Sequence, residues 1–343
     1  MREVIWIRRL ALIGAILCFA VVVLGGYTRL SDSGLGCPDW PGCFGHVAPT
    51  GAAEHYATAA DVRKAWVEMI HRYAASTLGL IILVITVLAV ISYFIRVKQD
   101  RRVSVWFTFT LLALVVFQGL LGMWTVTLLL KPLIVTAHLL GGLTTFALLL
   151  WLWLTIRART NAVDAYSVLH GNRLVERGAN ARKWAGLALA ALGLQIFLGG
   201  WTSSNYAAVA CPDFPRCQNQ WVPEADYQDA FVLWRGLGIN YAGGVLDHPA
   251  RVAIHFSHRL GAVLVGILLL LAAHAAMTRL GPGPRLAALV VLAALVLQIS
   301  IGILMVWRAF PLPLAAAHNA GAALLVAATV WLNRGLRPVA DFR

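Results

Sequence analysis

The sequence predicts an all-α integral membrane protein with eight transmembrane helices, built as two four-helix bundles that repeat in parallel. The first observation is composition: 60% of the 343 residues are hydrophobic and 13% are charged. A soluble domain of this length needs far more polar surface than that. The other two observations are a series of long apolar runs and an internal repeat of histidine and cysteine motifs.

The apolar runs define the eight predicted helices in order. A helix needs about 20 apolar residues to cross a hydrocarbon layer about 30 Å thick. Such runs lie near 10–29, 70–95, 104–128, 133–156, 183–203, 253–277, 285–307 and 314–333. The second, fourth, sixth and eighth runs each carry a histidine close to their start. Since alternate helices run in the same direction, these four histidines are expected at one depth in the membrane.

The distribution of basic residues predicts the orientation. The formal net charge is +13, and with the N-terminus inside, 18 of the 28 Lys and Arg residues lie in the inner segments. Cytoplasmic loops of membrane proteins carry such an excess, so both termini are predicted to be cytoplasmic. The basic charge is then a topology signal and not a sign of nucleic-acid binding. The first run has no clear cleavage site and no transit segment before it, which favours a retained helix in a bacterial inner membrane.

An internal repeat divides the chain into two halves. The segment LGGYTRL and the motif Cys-Pro-Asp-Trp-Pro-Gly-Cys return 174 residues later as LGGWTSS and Cys-Pro-Asp-Phe-Pro-Arg-Cys. The histidine motifs return after 187 and 180 residues, so one outer loop of the second half is 13 residues longer. Repeats at fixed offsets indicate a repeated architecture. We expect an N-terminal half at 1–160, a cytoplasmic linker at 161–182 and a C-terminal half at 183–343.

Four cysteines lie in the predicted outer loops, as two pairs. Cys37 and Cys43 belong to the first half, and Cys211 and Cys217 to the second. Disulfides persist in an oxidising compartment such as the periplasm. The two prolines between each pair restrict the loop, which favours a structural disulfide that caps each half. The alternative is that the cysteine pairs are redox-active and pass electrons. Cys18 lies within the first span and is expected to be packing.

The four repeated histidines are the candidate metal ligands. They are His71 and His138 in the first half, and His258 and His318 in the second. Ionisable residues inside a membrane are costly and mark functional sites. Two imidazoles from two helices can bind one heme iron from opposite sides. A mononuclear zinc site favours short local spacings, whereas these paired residues are at least 60 positions apart. The pattern predicts two heme sites.

Residues beside the candidate histidines give two further signals. One position differs between the halves, and another is the same in both. Glu68 lies three residues before His71 and shares its helix face, whereas the matching residue of the second half is His255. A carboxylate there can take a proton or stabilise a developing cation; it can also simply favour the helix N-terminus. Arg72 and Arg259, which follow the first histidine of each pair, are candidates to neutralise heme propionates. Interfacial snorkelling is the plainer explanation of both.

These motifs, taken in order, closely resemble the heme A synthase family. The carrying segments are GGYTRLSDSGLGCPDWPGC, EMIHR, TAHLLGG, the second Cys-Pro-Asp loop, HFSHR and AAAHNAG. The resemblance covers essentially the whole chain. It implies an enzyme that oxidises a methyl group of heme O to a formyl group by successive hydroxylations, giving heme A for terminal oxidases.

The resemblance also implies roles for the candidate residues. His71 and His138 would flank heme O as substrate, His258 and His318 would be the axial ligands of a heme b cofactor, and Glu68 would be catalytic. The implied partners are a heme O synthase and the assembly of terminal oxidases, with a homo-oligomer as a further expectation. The lipid bilayer surrounds the chain, and no nucleic acid is expected.

Three other functions compete with this interpretation. A diheme b-type cytochrome that exchanges electrons with quinone would give both halves similar roles and would have no need for Glu68. A transporter would favour inverted repeats and broken helices at mid-membrane, neither of which the sequence indicates. A thiol oxidoreductase would make the cysteines primary, although their spacing is not the C-x-x-C of such enzymes.

Overall fold

The computed structural model describes residues 2–50, 52–56, 58–95, 103–161, 172–279 and 282–337. Within these ranges eight helices are long and apolar enough to cross a membrane, which confirms a multi-pass, all-α membrane protein. Two short helices, α2 (Ala52–His55) and α7 (Tyr227–Ala230), lie between them. The long helices are α1 (Arg2–Leu30), α3 (Ala59–Phe94), α4 (Val105–Thr127), α5 (Pro132–Asn161), α6 (Asn172–Ser204), α8 (His248–Arg279), α9 (Pro282–Trp307) and α10 (Leu312–Gly335).

Most helices extend beyond the apolar runs that predict them. Helix α3 begins at Ala59 instead of residue 70, capped by the Thr58 hydroxyl, which accepts from the Asp61 N–H. Hydropathy reports only the lipid-facing part, whereas a capped helix continues into the polar interface. Helix α6 begins at Asn172, so residues 172–182 of the expected linker are helical. Residues 162–171 of that linker lie outside the described ranges.

Each half is a four-helix bundle with its histidine-bearing helices on one diagonal. In the first half α1 and α4 each contact both α3 and α5. In the second half α6 and α9 contact α8 and α10 in the same way. This arrangement leaves α3 opposite α5, and α8 opposite α10, across the centre of each bundle. Side chains that point inward from diagonal helices can therefore meet around one central ligand.

The interface between the halves follows the symmetry of the repeat. Helix α1 contacts α10, α6 contacts α5, and α5 contacts α10. Arg29 donates to the carbonyl of Ser203 at 2.8 Å, 174 positions later. The Tyr206 hydroxyl donates to Asp32 at 3.1 Å across the same offset. Equivalent residues that touch each other lie near a pseudo-two-fold axis, as a parallel repeat predicts. One apolar core runs through both halves.

The longer outer loop of the second half folds back onto the first half. The Lys131 ammonium, at the start of α5, donates to the carbonyl of Gly236 and lies 3.3 Å from the Trp234 ring centre. The Tyr241 N–H donates to the carbonyl of Leu129 at 3.1 Å. Trp201 anchors the other end of the loop through a 2.9 Å bond to the carbonyl of Ala230. The extra residues therefore join the two halves at the end of the bundles where the loop between α6 and α8 lies.

Candidate functional site

Two disulfide loops cover the outer ends of the bundles. Cys37 is bonded to Cys43 and Cys211 to Cys217, which confirms the pairing expected from the sequence. All four cysteines are buried. The first loop packs on Ala65 and Met69 of α3. The second packs on Val252 of α8 in the same way, so each disulfide is buried between its loop and the adjacent helix of its own half.

The two loops share one internal structure. Asp39 accepts hydrogen bonds from the N–H groups of Phe44 and Gly45, at 2.7 and 2.8 Å. In the second loop Asp213 accepts from Gln218 and Asn219 at 2.7 and 2.9 Å. A cis proline precedes the second cysteine in each loop. The matching bonds indicate a structural module that the repeat has kept twice.

Asp39 is held in its charged form by this loop. Burial by itself raises the pKa of the Asp39 carboxyl. The N–H groups of Gly45 and Phe44 and the nearby Arg72 lower it by a larger amount, so the pKa lies below its ordinary value. The same balance lowers the pKa of Asp213. Hydrogen bonds to a carboxylate favour its ionised form. The loops are thus built around two carboxylates that are charged at neutral pH.

The arginines that follow the first histidine of each pair lie against the disulfide loops. Arg72 donates to the carbonyls of Asp39 at 2.9 Å and Gly42 at 2.5 Å. Arg259 donates to the carbonyls of Asp213 and Arg216 at 2.8 Å and of Cys211 at 2.9 Å. Both guanidinium groups are committed to loop carbonyls, so in this structure they fix the loops onto α3 and α8. The sequence pattern did not indicate this role.

Glu68 is buried beneath the first loop, and both of its oxygens have partners. One oxygen accepts from the Cys37 N–H at 2.9 Å, and the other pairs with Arg72 at 2.5 Å. Its counterpart His255 is also buried and accepts from Arg259 at 3.3 Å. The carboxylate therefore joins three parts of the first half: the disulfide loop, Arg72 and the helix turn that precedes His71.

The structure brings the four candidate histidines together as two facing pairs. The ring centres of His71 and His138 are 6.4 Å apart, with an angle of 86° between the rings. Those of His258 and His318 are 6.5 Å apart at 78°. Each pair spans the diagonal of its own bundle, and all four rings are partly buried. The two pairs have nearly the same geometry, as the repeat predicts.

A glycine lies beside each of the four rings. A Cβ added at Gly25 would come within 2.8 Å of the His71 ring, and one at Gly122 within 3.5 Å of His138. The equivalent distances are 3.1 Å from Gly199 to His258 and 3.1 Å from Gly302 to His318. Each of these glycines thus lies where its helix contacts an imidazole of a neighbouring helix, and a larger residue would overlap the ring. The four helices are α1, α4, α6 and α9. The sequence contains this signal as a repeated glycine, but only the structure assigns each to its histidine.

The histidine pairs fit a metal held between two imidazoles. An imidazole nitrogen binds a transition metal at about 2 Å and its ring centre lies about 1 Å behind it, which places the two ring centres about 6 Å apart. No cluster of three or more His, Cys, Asp or Glu side chains forms within the described ranges. Among the described residues a bare zinc ion would therefore have only two protein ligands in each half, whereas a heme iron needs only two because the macrocycle supplies the others.

Comparison with known proteins identifies the chain's relatives. The family model described as cytochrome oxidase assembly protein, COX15-CtaA, matches residues 8–330. A heme A synthase of Shewanella oneidensis is 42% identical over 346 residues, which cover 96% of each chain. A heme A synthase of Caulobacter vibrioides is 30% identical over 354 residues, 94% of each chain. One of Rhizorhabdus wittichii is 28% identical, over 95% of this chain and 92% of its own. The protein belongs to the COX15-CtaA family of cytochrome oxidase assembly proteins.

Proposed function

We propose that this protein is a heme A synthase, an enzyme that oxidises a methyl group of heme O to a formyl group. Two successive hydroxylations of the same carbon give a hydrated aldehyde, which loses water. The observation that carries the proposal is a pair of similar histidine sites with unequal neighbours, in a chain whose relatives have that name. One site has Glu68 where the other has His255.

The two halves would have different tasks. His71 and His138 would flank the heme O substrate in the first half, with its methyl group held for oxidation. His258 and His318 would bind a heme b, which supplies one-electron transfer when it is present. The 6.4 and 6.5 Å ring separations support two axial ligands in each half. The contact of α5 with α6 and α10 puts the two bundles side by side. In this proposal electrons pass between them.

Glu68 is the proposed catalytic residue of the first half. Its carboxylate lies one helical turn before His71, and Arg72 and the Cys37 N–H hold it in place. A negative charge fixed at that position stabilises positive charge that develops on the substrate carbon, or orients a water for attack. Substrate contact at Glu68 requires the methyl group of heme O to lie on the loop side of the macrocycle. Arg72 and Arg259 act in this proposal by holding the loops, and propionate binding is a second role for them.

The proposed cellular setting follows from charge and disulfides. The disulfide loops face the periplasm, and both termini lie in the cytoplasm, in the inner membrane of a bacterium. A heme O synthase would supply the substrate, terminal oxidase assembly would consume the product, and copies of this chain would assemble with each other. A C-terminal green fluorescent protein fusion should fluoresce, and a C-terminal alkaline phosphatase fusion should be inactive. The reverse pattern would contradict this orientation.

A diheme cytochrome is the strongest competing function, and the neighbours of the histidines disfavour it. A cytochrome that only transfers electrons has no need for Glu68, whereas the first half keeps this carboxylate buried at the position that His255 occupies in the second half. The test is co-expression with a heme O synthase, followed by extraction of the heme and its identification by chromatography and mass. We expect heme A. A folded, heme-loaded protein that returns only heme O and heme b would support the cytochrome instead.

A further inference from the structure

A half-open cavity lies in each half at the end of the bundle opposite the disulfide loops. The first, of about 310 Å³, lies between α1 and α5, and the second, of about 390 Å³, lies between α6 and α10. Two consecutive basic residues of the first helix and one basic residue of the last helix line each cavity. They are Arg8, Arg9 and Arg157 in the first half, and Arg182, Lys183 and Arg337 in the second.

The two cavities are equivalent in the repeat. Each cation of the first has its counterpart in the second at the offset of its own helix, which is 174 residues from α1 to α6 and 180 from α5 to α10. The pairs are Arg8 and Arg182, Arg9 and Lys183, and Arg157 and Arg337. Trp153 and Asn333 are a fourth equivalent pair in the lining, and the smaller asparagine accounts for the larger second cavity. The repeat has thus kept three cations around one cleft twice.

The charge of the cavities favours an anion. None of the described residues that line them is acidic. Helices α1 and α6 each carry one acid before the basic pair, Glu3 and Glu176, and α5 and α10 carry none, so the cations outnumber the carboxylates in both halves. Like charges held close together repel each other, and a bound anion removes this cost. Guanidinium groups bind phosphate oxygens with directed, charge-assisted hydrogen bonds.

Hydrogen bonds between helices fix the walls of the second cavity. The Asn333 amide of α10 donates to the carbonyl of Ala185 on α6 at 2.9 Å. The buried Arg334 guanidinium donates to the Thr155 hydroxyl of α5 at 3.0 Å and to the carbonyl of Arg337 at 3.3 Å. These bonds hold the end of α10 against both neighbouring helices. The cations of this cavity are therefore carried by packed helix ends.

Exposed aliphatic side chains continue from each cavity along the first helix of its half. Ile13 follows Arg9 by four residues and Leu187 follows Lys183 by four, so each lies on the same helix face as its cation, one turn further into the membrane. Their exposed fractions are 52% and 45%. Side chains at this depth face lipid acyl chains, whereas the helix ends lie among the headgroups. Each site thus fits a ligand that has both a phosphate and an acyl chain.

We propose that each cavity binds the headgroup phosphate of one anionic phospholipid, so that one chain holds two such lipids at equivalent places. Basic pockets between transmembrane helices bind anionic headgroups by charge and hydrogen bonding. The acyl chains lie along Ile13 in the first half and Leu187 in the second. A bound phosphate joins α1 to α5 and α6 to α10. The inference does not depend on the heme chemistry, since Glu68 lies at the opposite end of the bundle.

The test is native mass spectrometry of the delipidated full-length protein, titrated with dioleoyl phosphatidylglycerol or with dioleoyl phosphatidylcholine. We expect two tightly bound phosphatidylglycerol molecules per chain. Phosphatidylcholine, which has no net charge, should bind at least about 10-fold more weakly. Arg9→Gln/Arg157→Gln should weaken one of the two sites and Lys183→Gln/Arg337→Gln the other. Each loss should be about 30-fold, because each cation near a lipid surface contributes a factor of about 5 to the affinity.

A matched control separates a built site from general surface charge. Arg2→Gln/Arg285→Gln removes two exposed cations from the same end of the bundles, outside both cavities, and should still bind two phosphatidylglycerol molecules. An equal loss in this control would overturn the inference. So would equal binding of phosphatidylcholine, or displacement of the lipid by an equal concentration of inorganic phosphate, which would indicate a site for a soluble anion. If one cavity variant fails to fold, the other variant and the wild-type count decide the question.

Discussion

Glu68 is the residue on which the proposed chemistry of the first half depends. The sequence predicted its importance from its place before His71, and the structure adds its two partners, Arg72 and the Cys37 N–H. Those partners give Glu68 a structural task beside its proposed catalytic one. A variant that keeps an acceptor oxygen but loses the charge separates the two tasks.

Glu68→Gln should fold and keep its disulfides, because the side-chain oxygen can still accept from Cys37. We expect heme A formation to fall at least about 100-fold, since fixed charge at a reacting centre contributes about 3 kcal/mol. The b-type spectrum should persist. His255→Gln, at the matching position of the second half, is the control and should retain heme A formation. Equal loss in both variants would indicate that Glu68 serves only the loop.

Asp39 gives the first loop a stability that depends on pH. Its pKa is lowered in the folded protein, so the fold favours the carboxylate form. The stabilisation is complete above the ordinary pKa of about 4 and is lost as the pH falls through the lowered folded value. Asp39→Asn keeps one acceptor for two N–H groups and should cost about 1 kcal/mol at pH 7.

Thermal unfolding in detergent checks this prediction. The Tm of Asp39→Asn should lie below that of the wild type at pH 7, and the difference should shrink as the pH falls below the ordinary Asp pKa of about 4. Glu224 is an exposed carboxyl of the other loop, and the control variant Glu224→Gln should have the Tm of the wild type at each pH. A difference in Tm that stays constant from pH 7 to pH 3 would show that the Asp39 charge is not its source.

At the scale of helices, the glycines beside the histidines set the spacing of each bundle. Gly25 and Gly199 are equivalent positions on α1 and α6, and each faces an imidazole. A methyl group there would overlap the ring and move it by a few tenths of an ångström or more. Core positions resist such additions at a cost of about 1–3 kcal/mol.

Gly199→Ala should weaken or shift the b-type spectrum, whereas Gly25→Ala should reduce heme A formation and leave that spectrum intact. Gly79→Ala and Gly266→Ala are matched controls, because they are equivalent positions on α3 and α8 with nothing within 4 Å. Optical spectra and extracted heme measure both effects. Controls as damaging as the test variants would mean that the glycines serve backbone flexibility instead.

The helices themselves were largely predictable, and their contacts were not. Apolar runs gave eight spans, and the fixed offsets gave the histidine pairs, because both signals are local in sequence. The positions of Arg72 and Arg259 were not predictable, since their partners are carbonyls of a loop about 30 to 48 residues away. Backbone acceptors leave no mark on residue type. The sequence showed only that the loop of the second half is longer, and not that this loop contacts Lys131.

For the whole molecule, the repeat explains the likeness of the halves, and the proposed difference in their tasks rests on the positions where they differ. Contacts such as Arg29 with Ser203 keep the bundles side by side about a pseudo-two-fold axis. Within this shared frame, the first half has Glu68 where the second half has His255. A carboxylate beside one of two similar histidine pairs is the difference that the proposed division into a substrate site and a cofactor site requires.

The assignment of halves is the central claim, and paired histidine variants test it most directly. The measurement is the heme content of purified His71→Ala/His138→Ala and His258→Ala/His318→Ala proteins, each co-expressed with a heme O synthase. We predict that the first retains heme b with its resting spectrum and contains no heme A, and that the second lacks heme b. Loss of heme b from the first variant, with heme b retained in the second, would contradict the account.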